Sequence, residues 1–280
     1  MSPAIAATIE ALRRELEVHG RVAVAVSGGI DSLTLAALAA RTLGERAGMF
    51  HSLTASVPAA ATERTRSLAA RFGWKLHVID ARELERGEYL ANPVNRCFYC
   101  KQSLYAEIAR HTDAQVLSGA NIDDLAEYRP GLDAAREAGA RHPFVDAGVG
   151  KATIRVLARE LGLGELAELP ASPCLSSRVE TGIPIVAPML GRIDAAENAI
   201  RERIEARAVR CRVRARGVVI EIDAPSLTAL TAAQRVEVSR AVAQVFGMDR
   251  APTLEAYRNG SAFLTPSPFP RPLPREGDSP

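Results

Sequence analysis

Arg21-Val22-Ala23-Val24-Ala25-Val26-Ser27-Gly28-Gly29-Ile30-Asp31-Ser32 is the stretch whose reading decides the fold. Its first half is short, almost wholly apolar and rich in β-branched residues, the pattern of a strand buried on both faces, and Ser27-Gly28-Gly29 breaks it. From Asp31 to Thr42 the apolar residues return at helical spacing. A strand that hands over to a helix through two glycines presents backbone N–H groups at the positive end of a helix dipole, which is an anion site. The glycines let the backbone close on phosphate oxygens, Ser27 and Ser32 add hydroxyl donors, and Asp31 can hold a divalent cation such as Mg2+. The spacing is not GxxxxGK[ST] and its lysine is missing, which excludes a Walker A loop.

Outward from that loop the alternation recurs. Ile5, Ile9, Leu12 and Leu16 fall at helical spacing and predict an amphipathic helix over residues 2–18. Strands are expected at 49–56, 75–80 and 115–118, with helices around 62–72 and 101–111. Such alternation implies an α/β fold with a parallel sheet, whose ligands gather outside the carboxyl ends of its strands. Asp123 and Asp124 come just past the strand at 115–118; Asp124 and Arg129 could serve a cation and a phosphate, while Asp123 reads equally well as a helix cap. Near residue 184 the pattern changes to a helix at 193–206, strands at 211–214 and 218–223 turning at Gly217, and a helix at 231–246, a smaller α+β unit. The expected division is 1–183, 184–265 and a tail, 266–280, whose six prolines and missing apolar periodicity argue against any ordered core contribution.

With 47% hydrophobic and 24% charged residues, the 280-residue composition is that of a globular chain rather than a disordered or fibrous one. A formal charge of +2 supplies no global field for nucleic acid, and no run of about 18 apolar residues suggests a membrane span, so neither partner is expected. The chain has four cysteines and no stretch that reads as a signal peptide, which points to a reducing, cytoplasmic setting without a disulfide framework.

Two of those cysteines form a C-x-x-C in Asn95-Arg96-Cys97-Phe98-Tyr99-Cys100-Lys101. By itself the pair reads as half a zinc site, a redox couple, two cluster ligands or two thiols at a helix start. No second C-x-x-C or H-x3–5-H follows, which disfavours a closed zinc site, and the pair does not come just after a first βαβ strand as a thioredoxin-like role would require. Cys174, in Ser172-Pro173-Cys174-Leu175-Ser176-Ser177-Arg178, lies beside prolines and precedes a cation that favours a thiolate. Cys211 alternates within a strand and reads as a buried apolar residue.

The Ser27–Ser32 loop resembles the SGGxDS loop of the PP-loop (N-type) ATP pyrophosphatases, which bind ATP through its β and γ phosphates and adenylate a substrate. Lys151, in Val149-Gly150-Lys151-Ala152-Thr153-Ile154-Arg155, is similar to the lysine that follows the sheet in those enzymes and reaches toward triphosphate. Ser27–Ser32, Asn95–Lys101, Asp123–Gly131, Pro173–Arg178, Arg212-Val213-Arg214 and Leu254–Ser261 together resemble the LarE family of pyridinium-3,5-biscarboxylic acid mononucleotide sulfurtransferases. Pro-Cys-Leu-Ser-Ser-Arg followed by Arg-Val-Arg and Tyr-Arg-Asn-Gly-Ser is far more specific than the loop alone. Arg216, where the family tends to carry His, and Asn259, where Ser is frequent, are departures.

That resemblance implies an ATP- and magnesium-dependent insertion of sulfur into a small-molecule nucleotide on the route to the nickel-pincer cofactor of lactate racemase. A carboxylate is a poor electrophile; adenylation supplies a leaving group that sulfur then displaces. Ser27, Gly28, Gly29, Asp31, Ser32, Asp124, Arg129 and Lys151 are the implied ATP residues, Cys174 the implied sulfur nucleophile, and Arg178, Arg212, Arg214 and Arg258 the implied cations for substrate anions. Two sulfur sources follow from the family: the sacrificed sulfur of Cys174, leaving dehydroalanine, or a [4Fe-4S] cluster on Cys97, Cys100 and Cys174, favoured because it gives the C-x-x-C a role. A homo-oligomer is also implied. The alternative is another PP-loop adenylating enzyme, such as a tRNA thiolase or an amide-forming synthetase.

Overall fold

The structure is a computed structural model that describes residues 2–126 and 128–263 of the chain. Helix α1 (Pro3–Val18), capped by the Ser2 hydroxyl, leads into β1 (Val22–Ala25), α2 (Ile30–Leu43), β2 (Ala47–Ser52), α3 (Ala59–Phe72) and β3 (Lys75–Ile79). A one-turn helix, α4 (Gly87–Leu90), precedes α5 (Arg96–His111) and β4 (Gln115–Ser118). Helices α6 (Pro130–Glu137), α7 (Pro143–Asp146) and α8 (Lys151–Glu160) complete the first half.

The four strands form an all-parallel sheet in the order β3-β2-β1-β4, with Val24 opposite Met49 on one side and Leu117 on the other. The class expected from the sequence is the class found. Alternation along β1 explains why it sits in the middle. Val22 and Val24 join Leu12, Leu16, Leu33 and Leu157 in one buried cluster, while Ala23 and Ala25 face Phe50, Tyr105 and Ile108 in another. A strand buried on both faces has no polar side, so its sequence carries none.

Helix α9 (Ala187–Arg201) opens the remainder, followed by β5 (Val209–Arg214), β6 (Gly217–Ile222), α10 (Ala224–Ala229), α11 (Ala232–Phe246) and β7 (Thr253–Ala256). These strands make a separate sheet, β5-β6-β7, packed through its own cluster of Leu190, Ile193, Val209, Cys211, Ile220 and Val238. The capping box of Thr231 and Gln234 starts α11 where the sequence places it.

Several boundaries differ from those read in the sequence. Helix α5 begins at Arg96, five residues before the expected Lys101, so both thiols of the C-x-x-C lie in its first turns. Helix α9 starts at Ala187, with Pro188 tolerated in the first turn, and stops at Arg201 rather than 206. The β5–β6 turn is Ala215-Arg216; Gly217 already pairs with Arg214. Strand β7, parallel to β6, is absent from the sequence reading because four residues beside Pro252 carry too little pattern. The tail expected at 266–280 lies outside the described residues. Among the described residues no helix is long and apolar enough to cross a membrane.

Candidate active site at the carboxyl edge of the parallel sheet

The loop after β1 closes on itself. Ser32 Oγ accepts from the Ser27 amide at 3.0 Å, lies 3.1 Å from Ser27 Oγ and donates to the Gly29 carbonyl at 3.0 Å. Gly28 holds φ at +78°, and a Cβ there would meet the Ala61 carbonyl at 2.6 Å; Arg64 Nη1 donates to the Gly28 carbonyl at 2.6 Å. Gly119, past β4, runs flush against the start of α2, where a Cβ would lie 2.7 Å from the Ser32 amide nitrogen. The first turn of α2 has no intrahelical acceptor for its N–H groups, and its N-cap, Gly29, offers no side chain to satisfy them. Beneath the loop, buried His51 donates Nδ1–H to the Val26 carbonyl and accepts from Thr62 at Nε2, both at 2.9 Å; burial holds its pKa below the usual value and keeps it neutral. A narrow cradle of backbone donors, kept open by glycine, fits an oligophosphate.

Asp31, in the first turn of α2, receives Lys151 Nζ on both oxygens, at 2.7 and 2.6 Å. The ammonium thus stands where a divalent cation would bind. Asp123 accepts the Lys151 amide at 2.7 Å and so caps α8, the cap reading weighed from sequence, although the helix it caps lies 28 residues on. Asp124 and Arg129, expected on a cation and a phosphate, bond one another at 2.9 Å, and Asp124 also accepts from the Asn121 amide at 3.0 Å.

Cys174 starts a 3-10 turn, Leu175–Arg178, pinned to the same edge because the Leu175 amide donates to the Ser56 carbonyl, in the loop after β2, at 2.8 Å. Arg178, 1% exposed, grips Glu197 side-on, Nε to Oε1 at 2.8 Å and Nη2 to Oε2 at 3.0 Å, and donates Nη1 to the carbonyls of Pro173 (2.6 Å) and Cys174 (3.1 Å). Tyr89 Oη lies 2.5 Å from Ser176 Oγ. Cys97, Cys100 and Cys174 are half-buried. Burial, then the charge of Cys174, pushes the Cys97 and Cys100 thiols up; Arg96 pulls Cys97 back. Among the described residues no three His, Cys, Asp or Glu side chains are arranged to hold a metal ion. Cys211 is fully buried, as its alternation suggests.

The strand arginines are less available than the sequence implies. Arg212 Nε donates to Glu221 Oε2 at 2.8 Å and Nη1 to the Ser177 carbonyl at 2.9 Å, while Arg214 Nη2 takes the other Glu221 oxygen at 2.5 Å. Both are buried, and Glu221 is 0% exposed. Arg258 is exposed; its carbonyl accepts from Arg212 Nη2 at 3.5 Å, which places these residues side by side. Arg210, on the same face of β5, donates to the Val209 and Ala171 carbonyls, and burial, then Arg178, pulls its pKa to about 10.

Sequence reasoning missed Glu83, Arg96 and Glu197, each about 1% exposed. Glu83 Oε1 accepts from Thr54 and, at 2.6 Å, from Ser56, and its Oε2 has no partner among the described residues. A single charged residue in a loop or on a helix gives no pattern from which burial can be read.

No protein-family model matches the chain. An uncharacterized protein of Synechocystis is 34% identical over 197 residues, 69% of this chain and 73% of that protein. One of Methanocaldococcus jannaschii is 30% identical over 207 residues, 72% and 78% of the two chains. Pyridinium-3,5-bisthiocarboxylic acid mononucleotide synthase of Lactiplantibacillus plantarum is 32% identical over 205 residues, 70% of this chain and 71% of its own. With that identity over that coverage, the chain belongs to the LarE family.

Proposed function

We propose that the protein is an ATP-dependent sulfurtransferase that adenylates the carboxylates of pyridinium-3,5-biscarboxylic acid mononucleotide and converts them to thiocarboxylates. The observation that carries this reading is the Leu175–Ser56 bond, which ties the Cys174 loop to the sheet edge that also holds the Ser27–Ser32 cradle.

In the proposed reaction the N–H groups of the cradle, with Ser27 and Ser32, bind the β and γ phosphates. Asp31 would hold the Mg2+ that accompanies the nucleotide, which would neutralise phosphate charge, and Lys151, its partner in this structure, would then turn to triphosphate oxygens. A substrate carboxylate oxygen attacks the α-phosphorus, the bond to pyrophosphate breaks, and an acyl adenylate forms. Arg258, together with the Arg212 and Arg214 face, is proposed to attract the remaining substrate anions, with buried Arg210 adding positive potential. Cys174 Sγ, as thiolate, then attacks the acyl carbon and expels AMP. In the sacrificial route the Cα proton leaves and the Cβ–Sγ bond breaks, giving the thiocarboxylate and dehydroalanine.

The donor chemistry of Cys97, Cys100 and Cys174 also suits a [4Fe-4S] cluster, which when bound would supply exchangeable sulfide on the iron lacking a protein ligand and spare Cys174. Incubating the protein with ATP, magnesium and the pyridinium dicarboxylate nucleotide should yield AMP and a product heavier by the exchange of oxygen for sulfur. ATP left intact under these conditions would overturn the proposal.

A further inference from the structure

Among the described residues five arginines are buried, Arg96, Arg178, Arg210, Arg212 and Arg214, and Arg178 and Arg212 show how such a group is matched. Arg178 uses its Nε and Nη2 edge to hold both oxygens of Glu197, and Arg212 points Nε at Glu221. Arg96 differs. It is 1% exposed, its Nη1 donates to the Asn92 side chain, and its Nε and Nη2 have no hydrogen-bond partner among the described residues. Those two atoms form the edge that Arg178 turns toward a carboxylate, two parallel N–H bonds spaced for two oxygens. A buried guanidinium with three of its five N–H donors unmatched costs stability, so the fold retains a group that a ligand could satisfy.

Arg96 is also the first residue of the 16-residue α5, whose N-cap, Asn95, makes no side-chain cap bond, so the positive end of that helix adds to the same spot. Its neighbours bear on the ligand. Cys97 follows it directly; burial raises that thiol's pKa, and Arg96, by its charge and as a nearby N–H donor, lowers it. The Phe263 ring lies over the guanidinium, 5.5 Å from ring centre to Cζ, and is itself 36% exposed, so it is the side chain that a ligand of Arg96 would have to displace.

We propose that the Nε and Nη2 edge of Arg96, at the start of α5, is a carboxylate subsite beside the cysteines, which binds one carboxylate of the pyridinium dicarboxylate and so sets the ring's position relative to sulfur. The subsite rests on the sulfurtransferase reading for its ligand, and on the empty guanidinium edge for its chemistry. Arg96 is a positioning residue. Glu83, another buried residue with an unmatched side-chain atom, acts on Cys100, and its charge would disfavour a second carboxylate on its own side and turn the ligand toward Arg96.

The test uses the full chain and pyridine-3,5-dicarboxylate as probe, with pyridine-3,5-dicarboxamide as the uncharged control, by calorimetry and by thermal unfolding with and without probe. Arg96→Met keeps the length and removes the charge. It is expected to weaken dicarboxylate binding about 10- to 100-fold, the range for hydrogen bonds to a charged group, while ATP binding is unchanged. Because an unmatched buried cation is removed, the melting temperature of the ligand-free variant should hold or rise. Arg96→Lys, charged but without the fork, should lose most of the affinity as well. Unchanged dicarboxylate affinity in Arg96→Met overturns the subsite, as does a wild-type protein that binds the dicarboxylate no better than the dicarboxamide. A fall in melting temperature with affinity intact overturns it too, and makes Arg96 structural. AMP formation by the wild type is scored separately. If AMP forms and Arg96→Met binds normally, the subsite fails and the function stands; if the dicarboxylate binds through Arg96 and no AMP forms, the function fails and the subsite stands.

Discussion

Glu197→Gln removes one charge from the most enclosed ion pair beside Cys174 and leaves the shape almost intact. Glu197 accepts from Arg178 at 2.8 and 3.0 Å, from Arg201 at 2.9 Å and from the Cys211 amide at 3.1 Å. Burial alone would push its carboxyl up; the bonds and charge of Arg178, with Arg201 and Arg210, outweigh that and hold it below the usual range. Neutralising one partner of such a pair strands the other charge in the interior, at a cost of about 3–5 kcal/mol. At roughly 2–4 °C per kcal/mol for a chain of this size, the melting temperature should fall by about 6–20 °C. The sign of the pH dependence follows from a depressed native pKa. The contribution of Glu197 is complete above its unfolded value of about 4.3 and is lost as pH falls through the lower native value, so wild type and variant should converge in acid. Since Arg178 also holds the Pro173 and Cys174 carbonyls, thiocarboxylate formation should drop more than AMP formation. Calorimetric melts at pH 7 and at pH 3–4, with AMP and product measured in parallel, check this. A shift under about 2 °C at pH 7, or one that persists undiminished in acid, would refute the reasoning.

Asp31→Ala should abolish AMP formation with little change in melting temperature, because the Asp31–Lys151 pair is 28% and 32% exposed and such pairs contribute only about 0–1 kcal/mol. Normal pyrophosphate release by the variant would remove Asp31 from the mechanism. Cys174→Ala should still form AMP and make no thiocarboxylate; wild-type thiolation by this variant would leave Cys174 a merely structural role. In the wild type, mass spectrometry and iron analysis separate the sulfur sources: loss of H2S from Cys174 after one turnover marks sacrifice, whereas about four irons and repeated turnover with sulfide mark a cluster. Arg212→Ala should lower the melting temperature through Glu221 as well as raise KM for the pyridinium nucleotide; an unchanged melt with only KM altered would assign the arginine to substrate alone.

The shape of the loop after β1 is legible because its information is local: Val22 to Val26 fix a two-faced strand, and Ser27, Gly28, Gly29 and Asp31 follow within one turn. Lys151 could be named, but its bond to Asp31 spans 120 residues and no spacing rule reaches that far. The first turn of α5 is not legible in sequence because Asn95-Arg96-Cys97-Phe98-Tyr99-Cys100, just after Pro93, has no helical alternation of apolar and polar residues; the fold supplies the contacts instead, with Tyr99 and Cys100 packing against the second core. Arg212 and Arg214 were visible as one face of a strand, yet the carboxylate that occupies them, Glu221, is on the neighbouring strand and reads in sequence as just another alternating position. Charge is easy to see in a sequence. Which charges are already matched is a tertiary fact.

Strand β7 imposes an order of completion on the molecule during synthesis. Glu221 receives Arg212, Arg214 and, from 40 residues further along, the Ser261 hydroxyl at 2.6 Å, while the Ala262 carbonyl accepts the Thr181 amide just past the Cys174 turn. A ribosome working at roughly 5–20 residues per second needs about 2–8 s to cover that interval. Throughout it β6, which carries Glu221, is paired with β5 alone and waits for its second neighbour, and the segment past the Cys174 turn has no clasp. The phosphate cradle needs nothing beyond Lys151 and is assembled long before. A nascent chain therefore completes the Ser27–Ser32 loop and its Asp31–Lys151 pair well before the contacts that clasp the Cys174 turn, which are the last to close.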